Sequence, residues 1–500
     1  MSNVSARARD ADNAVATDVV IDALRMAGLL VSESDDMPAT ISALVDDSRR
    51  VVAECMFVAV HGHTADGHDW LQSAEAGGAT CAIVEDPSRT TLPTLVVRDG
   101  RRAAAIAAAA FFDWPARALT LIGVTGTNGK TTTVGLLRHL LDTDSSRAAS
   151  IGTLGVLVGS EGVVFPGGDG LTTPGPVELQ RVLRRLVNQD VKSVTMEVSS
   201  HSLHQRRVDG LSFSIAVFTN LTRDHLDYHV TMEAYHDAKA RLVGLLLRGG
   251  TAVTNADDPA WRTLPHADRT LTFGLNLQAD VSARNIEYSS SGSRFLLVGD
   301  AGAASVALPL IGEFNVSNAL AAAAAAIALG RPITEIANRL ESAPQVPGRL
   351  EKLRVQPTVL RDYAHTPDSL ERAIAAVRPF TNADSRLIAV FGCGGDRDRG
   401  KRPVMGEIAE RLADHVIITS DNPRTENPER ILDDIEAGMK RREHDRIEDR
   451  RGAIARALAI AKQHDVILLA GKGHETYQIR GTTSYPFDER EIVAELSAAI

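Results

Sequence analysis

The sequence predicts an α/β protein of three domains, with a central P-loop ATPase-type parallel sheet and a Rossmann-like C-terminal domain. Three observations lead there. A chain of 500 residues exceeds what one hydrophobic core fills, so it divides into domains. Short apolar runs alternate with helical patterns along much of its length, as in doubly wound parallel sheets. A glycine-rich loop near Gly126 joins an apolar strand to a helix, at the carboxyl edge where such sheets bind ligands.

Met1–Asp18 is polar and lacks the apolar core of a signal peptide, so it reads as a disordered lead-in. A helical pattern follows over Val19–Leu30. The apolar runs Met56–Val60, Cys81–Val84 and Leu95–Val97, joined by Gly- and Asp-rich turns, define a first domain, 1–102. Arg102–Phe112 reads as a helix, Pro115 as a break, and Leu119–Val124 as the strand entering a second domain, 103–348. Strands near Ser193–Val198, Phe213–Thr219 and Thr251–Asn255 alternate there with helices. After Pro347–Gly348 a third domain, 349–500, alternates strands and helices again. Its strands are Leu387–Phe391, His415–Thr419 and Asp465–Ala470; its helices are Pro367–Val377, Pro403–Leu412 and Arg450–His464.

The hydrophobic share of 44% is that of an ordinary globular protein. A formal net charge of −10 argues against nonspecific nucleic-acid binding. No stretch approaches the roughly 20 strongly apolar residues of a membrane span, the run Leu320–Leu329 being short and mostly alanine. No membrane insertion is expected, and without an export signal the expected location is the cytoplasm. Cys55, Cys81 and Cys393 are too few and too scattered for a disulfide framework.

The strongest motif is Gly123-Val-Thr-Gly126-Thr127-Asn128-Gly129-Lys130-Thr131-Thr132. Its glycines let backbone N–H groups turn onto a phosphate, and the following helix adds its positive end. Lys130 suits the β- and γ-phosphates of a nucleotide, and the Thr131 hydroxyl suits Mg²⁺. The spacing is a short G-x-x-G-K-T form, since position 124 is Val. Such a loop indicates a nucleotide and leaves kinase, NTPase switch and ligase open. Glu197, at the end of a strand, is a suitable oxygen ligand for Mg²⁺. His225, Asp224 and Asp227, taken alone, are as well explained by helix capping.

Four segments together resemble the Mur ligase family: GTNGKTT at 126–132, EVSSH at 197–201, NLTRDHLDYH at 220–229 and GEFNVSNALAA at 312–322. The resemblance runs from about Asp47 to the C-terminus. It implies an ATP-dependent, ADP-forming ligase that activates a carboxylate as an acyl phosphate and adds an amino acid to a UDP-linked peptidoglycan precursor. It implies ATP contacts from Gly126 to Thr132 and at Asn315, Asn318, Arg349, Asp362 and His365. Mg²⁺ would be held by Thr131, Glu197 and His225. Lys239 matches a position carbamylated by CO₂, giving an oxygen ligand for a second Mg²⁺. Lys130, Lys239 and His225 are the expected catalytic groups.

Within the family, Asp47-Ser48-Arg49 and His61-Gly-His63-Thr64-Ala65-Asp66-Gly67 resemble the UDP-binding segments of members that add the third peptide residue. Thr172, Thr173, Ser199, Gln205 and Arg207 match contacts to the muramoyl-dipeptide, with Leu171 standing where Asn is better known. The segment Asp421-Asn422-Pro423-Arg424 matches a meso-diaminopimelate signature, and Arg397, Gly471 and Glu475 match other contacts to that amino acid. The implied partners are therefore small molecules: UDP-MurNAc-L-Ala-D-Glu, ATP and meso-diaminopimelate. Folylpolyglutamate synthetases share the phosphate loop but need neither the UDP-type first domain nor the D-N-P-R segment. A catalytically silent nucleotide-binding homologue is opposed by the intact Lys130, Thr131, Glu197, His225 and Lys239. A simple phosphotransferase would release phosphate without needing both a carboxylate and an amine.

Overall fold

The computed structural model describes residues 14–498 apart from 63, 64, 169, 277, 290, 382, 383 and 442. They form two compact units. One holds the described residues up to Gly274 with Gln278–Asp280 and Ala321–Arg331; the other holds Val281–Leu320 and those from Pro332 on.

In the first unit Val15–Ala16 pairs with Thr40–Ile41, and helix α1 (Thr17–Met26) starts at once. The described end of the expected lead-in is thus structured, while residues 1–13 lie outside the description. The helix also stops earlier than Leu30, which instead opens strand β1 (Leu30–Glu33). With β2 (Leu44–Val45), β3 (Cys55–Val58), helix α2 (Leu71–Ala76), β4 (Ala79–Val84) and β5 (Thr94–Val97) it makes a five-stranded sheet ordered β1-β5-β4-β3-β2. Helix α3 (Gly100–Phe111) begins before Arg102 because the Asp99 carboxylate accepts from the Arg102 amide and caps it. Its alanines are buried, letting α1 and later helices approach closely.

The central sheet follows. Its elements are β6 (Thr120–Thr125), α4 (Lys130–Leu141), β7 (Arg147–Gly152), β8 (Gly155–Val158), β9 (Val163–Phe165), α5 (Pro176–Asn188) and β10 (Val191–Glu197). After these come α6 (Ser200–His204), β11 (Phe213–Phe218), α7 (Leu226–His229), α8 (Met232–Ala240), β12 (Leu246–Asn255) and β13 (Arg269–Gly274). The strand order is β9-β8-β7-β10-β6-β11-β12-β13, parallel from β7 to β13 with β8 and β9 antiparallel at one edge. β6 is apolar without alternation because helices cover both faces of a parallel sheet. Arg184 on α5 donates to Phe112 O at 2.9 Å, fastening the end of α3 to this sheet's helical layer.

The second unit opens with an antiparallel ladder, β14 (Val281–Ser289), β15 (Gly292–Gly299) and β16 (Gly302–Leu308). Sequence reading did not anticipate it. Helix α9 (Glu313–Ala328) follows, its residues from Ala321 on belonging to the first unit, and then α10 (Ile333–Glu341). The last sheet comprises β17 (Glu351–Val355), β18 (Thr358–Asp362), β19 (Leu387–Phe391), β20 (His415–Ile418), β21 (Asp445–Arg446) and β22 (Val466–Ala470), ordered β17-β18-β22-β19-β20-β21. It is parallel except for β17. Its helices are α11 (Pro367–Val377), α12 (Lys401–Leu412), α13 (Pro428–Glu436), α14 (Arg450–Ile460) and α15 (Glu489–Ala498). α12 starts two residues before the expected Pro403, and α14 ends at Ile460 rather than His464. Hairpin β23 (Tyr477–Arg480) and β24 (Thr483–Pro486) precedes α15. Among the described residues no helix is long and apolar enough to cross a membrane.

Candidate functional site

The phosphate loop sits where three parallel strands end together. β10 and β11 flank β6, with Glu197 opposite Val124 and Phe218 opposite Thr125. Gly126 takes a φ of 146°, and a Cβ there would lie 1.9 Å from Thr219 Oγ1, so glycine alone lets the loop leave the strand so close to β11. Hydrogen bonds then tie loop to neighbour, among them one from Thr127 Oγ1 to Thr222 O at 3.1 Å. The Thr127 amide donates to Asn220 O at 2.7 Å and the Asn128 amide to Asn220 Oδ1 at 2.9 Å. Asn220 Nδ2 and Thr219 Oγ1 both donate to Asn128 O, at 3.1 and 2.7 Å. The Thr222 amide donates to Thr127 Oγ1 at 2.9 Å.

Lys130 opens α4, and its Nζ donates to Gly126 O at 2.9 Å and Thr127 O at 2.8 Å. Lys239 reaches the same Gly126 carbonyl from α8 at 2.8 Å. It is 1% exposed and lies 4.4 Å from the centre of the Tyr235 ring. Burial first, and then the charge of Lys130, hold its proton affinity well below that of an ordinary lysine, against a smaller opposing pull from Asp224. Lys239 therefore gives up its proton more readily than a lysine in water. Thr131 is buried in the first turn of α4.

His225 precedes α7 in the left-handed region, φ 52°, with its amide donating to Asp224 Oδ1 at 2.8 Å. Its ring meets His201 edge-on at 4.8 Å, and His201 lies 5.4 Å from His229. Burial pushes His201 and His229 down to about 4 and lowers His225 as well. This wall of imidazoles is therefore uncharged at neutral pH and leaves the lone pairs that a cation needs. Asp227 lies in the first turn of α7, where its charge favours the helix end.

On the other side of the loop Glu197 is 1% exposed. The Thr153 amide donates to its Oε1 at 2.8 Å and the Thr153 hydroxyl to its Oε2 at 3.3 Å. A Cβ on Gly152 would stand 2.3 Å from Oε1, so that glycine makes room for the carboxylate. Thr172 Oγ1 lies 3.1 Å from Thr153 Oγ1, and Thr173 Oγ1 donates to Glu197 O at 2.8 Å. The Ser199 amide donates to Thr173 Oγ1 at 3.1 Å. Arg207 donates to Thr173 O at 3.1 Å and, through Nε and Nη2, to Gln205 Oε1 at 3.0 and 2.6 Å. Thr172, Thr173, Ser199, Gln205 and Arg207 thus form one network that ends on Glu197. Leu171, beside it, is 45% exposed.

In the first sheet Ser48 begins a short turn capped by the Asp47 carboxylate, and Ala65 O accepts from the Gly62 amide at 2.9 Å. His63 and Thr64 lie outside the described residues. His61, Asp66 and His68 cluster nearby with metal-like spacing. His68 Nδ1, however, meets Asp66 Oδ1 at 2.7 Å, and its Nε2 accepts from the Glu85 amide at 3.0 Å. Both ring nitrogens are spent, so the group braces the loop instead of holding an ion.

The second unit carries the remaining candidates. Asn315 is inside α9 and not its cap: its Nδ2 donates to Ile311 O at 2.8 Å, and Asn318 Nδ2 donates to Asn315 Oδ1 at 3.2 Å. At the ends of β18 and β22, Asp362 Oδ2 accepts from the Leu350 amide at 2.7 Å and Asp362 O from the Gly471 amide at 3.0 Å. Burial raises Asp362 to about 6, against the pull of Arg349. Arg349 lies over the Tyr363 ring at 4.9 Å, and His365 Nδ1 is 2.8 Å from Tyr363 O.

Three loops of the last sheet converge. The Gly395 amide donates to Asn422 O at 2.9 Å, and Arg424 Nη1 to Gly395 O at 2.9 Å. Asn422 Nδ2 donates to Glu475 Oε2 at 2.9 Å. Asp421, Asn422 and Pro423 are buried, Arg424 is half-buried at φ 51°, and Arg397 is exposed with its Nη1 donating to Asp396 O at 3.2 Å. Arg424 is anchored through its backbone, donating to Ile479 O at 3.1 Å and accepting from the Gly481 amide at 2.7 Å. Sequence reading passed over Thr153, Asn220 and Tyr235, which orient the central site, and Lys472, which sits inside the last one. Lys472 had a usable signal: a lysine between two glycines, directly after a fully apolar strand.

Comparisons with known proteins agree with this architecture. Three family descriptions match in succession: "Mur ligase family, catalytic domain" over 40–112, "Mur ligase middle domain" over 124–326 and "Mur ligase, glutamate ligase domain" over 348–473. A UDP-N-acetylmuramoyl-L-alanyl-D-glutamate--2,6-diaminopimelate ligase of Geobacillus kaustophilus is 45% identical over 464 residues, covering 90% of this chain and 94% of that one. A protein of the same description from Thermosynechococcus vestitus is 46% identical over 450 residues, covering 87% and 89%. A solved structure of that description superimposes with a TM-score of 0.67 at 34% identity, covering 93% of this chain and 97% of the other.

Proposed function

This chain belongs to the Mur ligase family, and we propose that it joins meso-2,6-diaminopimelate to UDP-MurNAc-L-Ala-D-Glu at the expense of ATP, in the cytoplasmic synthesis of the peptidoglycan precursor. Its three domains divide the work: 1–102 for the UDP group, 103–348 for ATP and 349–500 for the amino acid. The observation that carries the reading is the single network from the phosphate loop's neighbour Glu197 through Thr173 to Arg207. It supports a carboxylate substrate held beside a nucleotide's terminal phosphate.

The loop Gly126–Thr132, with the N-terminal turn of α4 behind it, takes the phosphates, the Thr127 and Asn128 amides being used to hold the loop on Asn220, and Lys130 balances charge as the γ-phosphoryl group moves to the D-Glu side-chain carboxylate. Arg207 and Thr173 orient that substrate. The acyl phosphate then reacts with an amine of diaminopimelate, forming the amide bond and releasing phosphate. Thr131, Glu197 and His225 would hold Mg²⁺ through their oxygen and nitrogen donors, Lys239 as a carbamate would offer oxygen to a second ion, and those ions would supply positive charge for the phosphoryl group. Asn315, Asn318, Arg349, Asp362 and His365 are the second unit's proposed contacts to ATP. Ser48, His63, Thr64 and Ala65 take the UDP end. Arg397, Asp421, Asn422, Pro423, Arg424, Gly471 and Glu475 take the amino acid. Phosphate release tests the whole reading: it requires ATP, UDP-MurNAc-dipeptide and diaminopimelate together. Equal release with the amine omitted refutes it.

A further inference from the structure

Lys472 has no role in the reading above, yet its surroundings are unusual. Its side chain is 0% exposed, and it follows the last residue of β22 by two positions. An ammonium taken wholly out of water is tolerated when its three protons find acceptors and its charge finds partners. Here Nζ lies 3.1 Å from Asn422 Oδ1, 3.2 Å from Glu475 Oε2 and 3.5 Å from Asp421 Oδ1. The rings of Tyr477 and Phe487 stand 5.8 and 5.9 Å away.

All three acceptors belong to the residues assigned to diaminopimelate, and they come from two separate loops. Asn422 in turn donates to Glu475 Oε2, so that oxygen takes both Lys472 and Asn422. These bonds use Oε2 of Glu475 and Oδ1 of Asp421, which turns the second oxygen of each carboxylate elsewhere. A second fully buried cation works beneath them: Arg450 donates to Ala470 O at 2.9 Å and to Ser420 O at 3.4 Å, the residues just before Gly471 and Asp421. Two carboxylates this close would repel one another and splay apart without a cation between them.

We propose that Lys472 is a positioning residue for amino-acid recognition: its ammonium fixes Asp421, Asn422 and Glu475 as a preformed receptor for the ammonium group of the incoming amino acid. The proposal rests on the assignment of that site made above. Neither a substrate atom nor a phosphate needs to touch Lys472. Its effect is on where its neighbours point, so it belongs to binding of one substrate out of three.

The test compares Lys472→Met, of similar length and no charge, with Lys472→Arg, using the full chain and steady-state phosphate release. Wild type is run first with diaminopimelate and lysine, and the better amine becomes the probe; preference for lysine overturns the specificity reading and leaves this test intact. Removing the partners that orient metal-ligating side chains typically costs about ten- to hundredfold in affinity, and the same order is expected for Lys472. Lys472→Met should raise KM for the amine by that factor, while kcat and the KM values for ATP and UDP-dipeptide stay within threefold of wild type. Lys472→Arg should recover part of the loss. If Lys472→Met does not fold, Lys472→Gln replaces it, keeping two donors without the charge. An amine KM within twofold of wild type, or an equal rise in all three KM values, overturns the proposal.

Discussion

Removing the guanidinium of Arg424 should separate the choice of amino acid from the chemistry of ligation. Diaminopimelate differs from lysine by a carboxylate on its distal carbon, and Arg offers a planar fork for such a group. The structure makes Arg424→Ala a clean perturbation. Its backbone bonds, to Ile479 O and from the Gly481 amide, survive the change, and its side chain gives up a recorded bond to Gly395 O. A hydrogen bond from a charged donor lost this way costs about 1.5–3 kcal/mol of stability. Losing one partner of a buried, hydrogen-bonded charge pair costs about 2–5 kcal/mol in binding. Arg424 is half-buried, so the lower part of that range applies, roughly thirty- to several-hundredfold in kcat/KM. The assay is kcat/KM for meso-diaminopimelate and lysine in wild type, Arg424→Ala and Arg424→Lys. Both variants should lose activity with diaminopimelate, since a point charge does not reproduce the fork, and neither should gain lysine as a good substrate. A diaminopimelate value within twofold of wild type in Arg424→Ala refutes the assignment.

Lys130→Ala should abolish phosphate release while leaving UDP-dipeptide affinity, measured by direct binding, nearly unchanged. Lys239→Met removes an amine that burial already disfavours as a cation, so the variant should be at least as stable as wild type by thermal unfolding yet nearly inactive. Small carboxylates should restore part of the activity of Lys239→Ala, and a fully active Ala variant without rescue would count against the carbamate. Asp362, raised by burial to about 6, binds its proton more tightly in the folded state, so its contribution to stability is full below pH 3.8 and lost as pH rises through 6. Asp362→Asn keeps an acceptor for the Leu350 amide and should raise the melting temperature at pH 8, by up to about 3 kcal/mol in stability, with no gain at pH 4.

Much of the fold was legible because buried parallel strands advertise themselves. β6, β19 and β22 are unbroken apolar runs with no alternation, and each was located within a residue or two. β14 to β16 were not, although the turn Gly299-Asp-Ala-Gly302 marks a hairpin: Ser293-Arg-Phe295-Leu-Leu297 alternates in burial but not in polarity. Their strands are only half-buried, so their polar residues hid the pattern. Helix ends slipped where a cap acted at a distance: Asp99 started α3 ahead of Arg102. In the candidate site, the phosphate loop could be read from its own spacing, because glycine and lysine have few other reasons to stand so. The partners that aim it could not. Asn220 and Thr153 are ordinary polar residues in sequence, and what they do depends on strand register and on loops brought from far along the chain.

The ties between the phosphate loop and the end of β11 bear on how this protein can vary. Asn128 and Asn220, which bond one another twice, stand 92 residues apart in the chain. Two stretches that distant form one rigid piece, and a change in either is felt by both. A library that randomises 126–128 alone would sample loops whose amides no longer meet Asn220, and nearly all of them would fail for lack of a matching wall. Varying 126–128 together with 219–222 opens solutions in which loop and wall change as a pair. Heritable variation at this site should therefore be paired variation, with substitutions that are tolerated jointly and harmful singly.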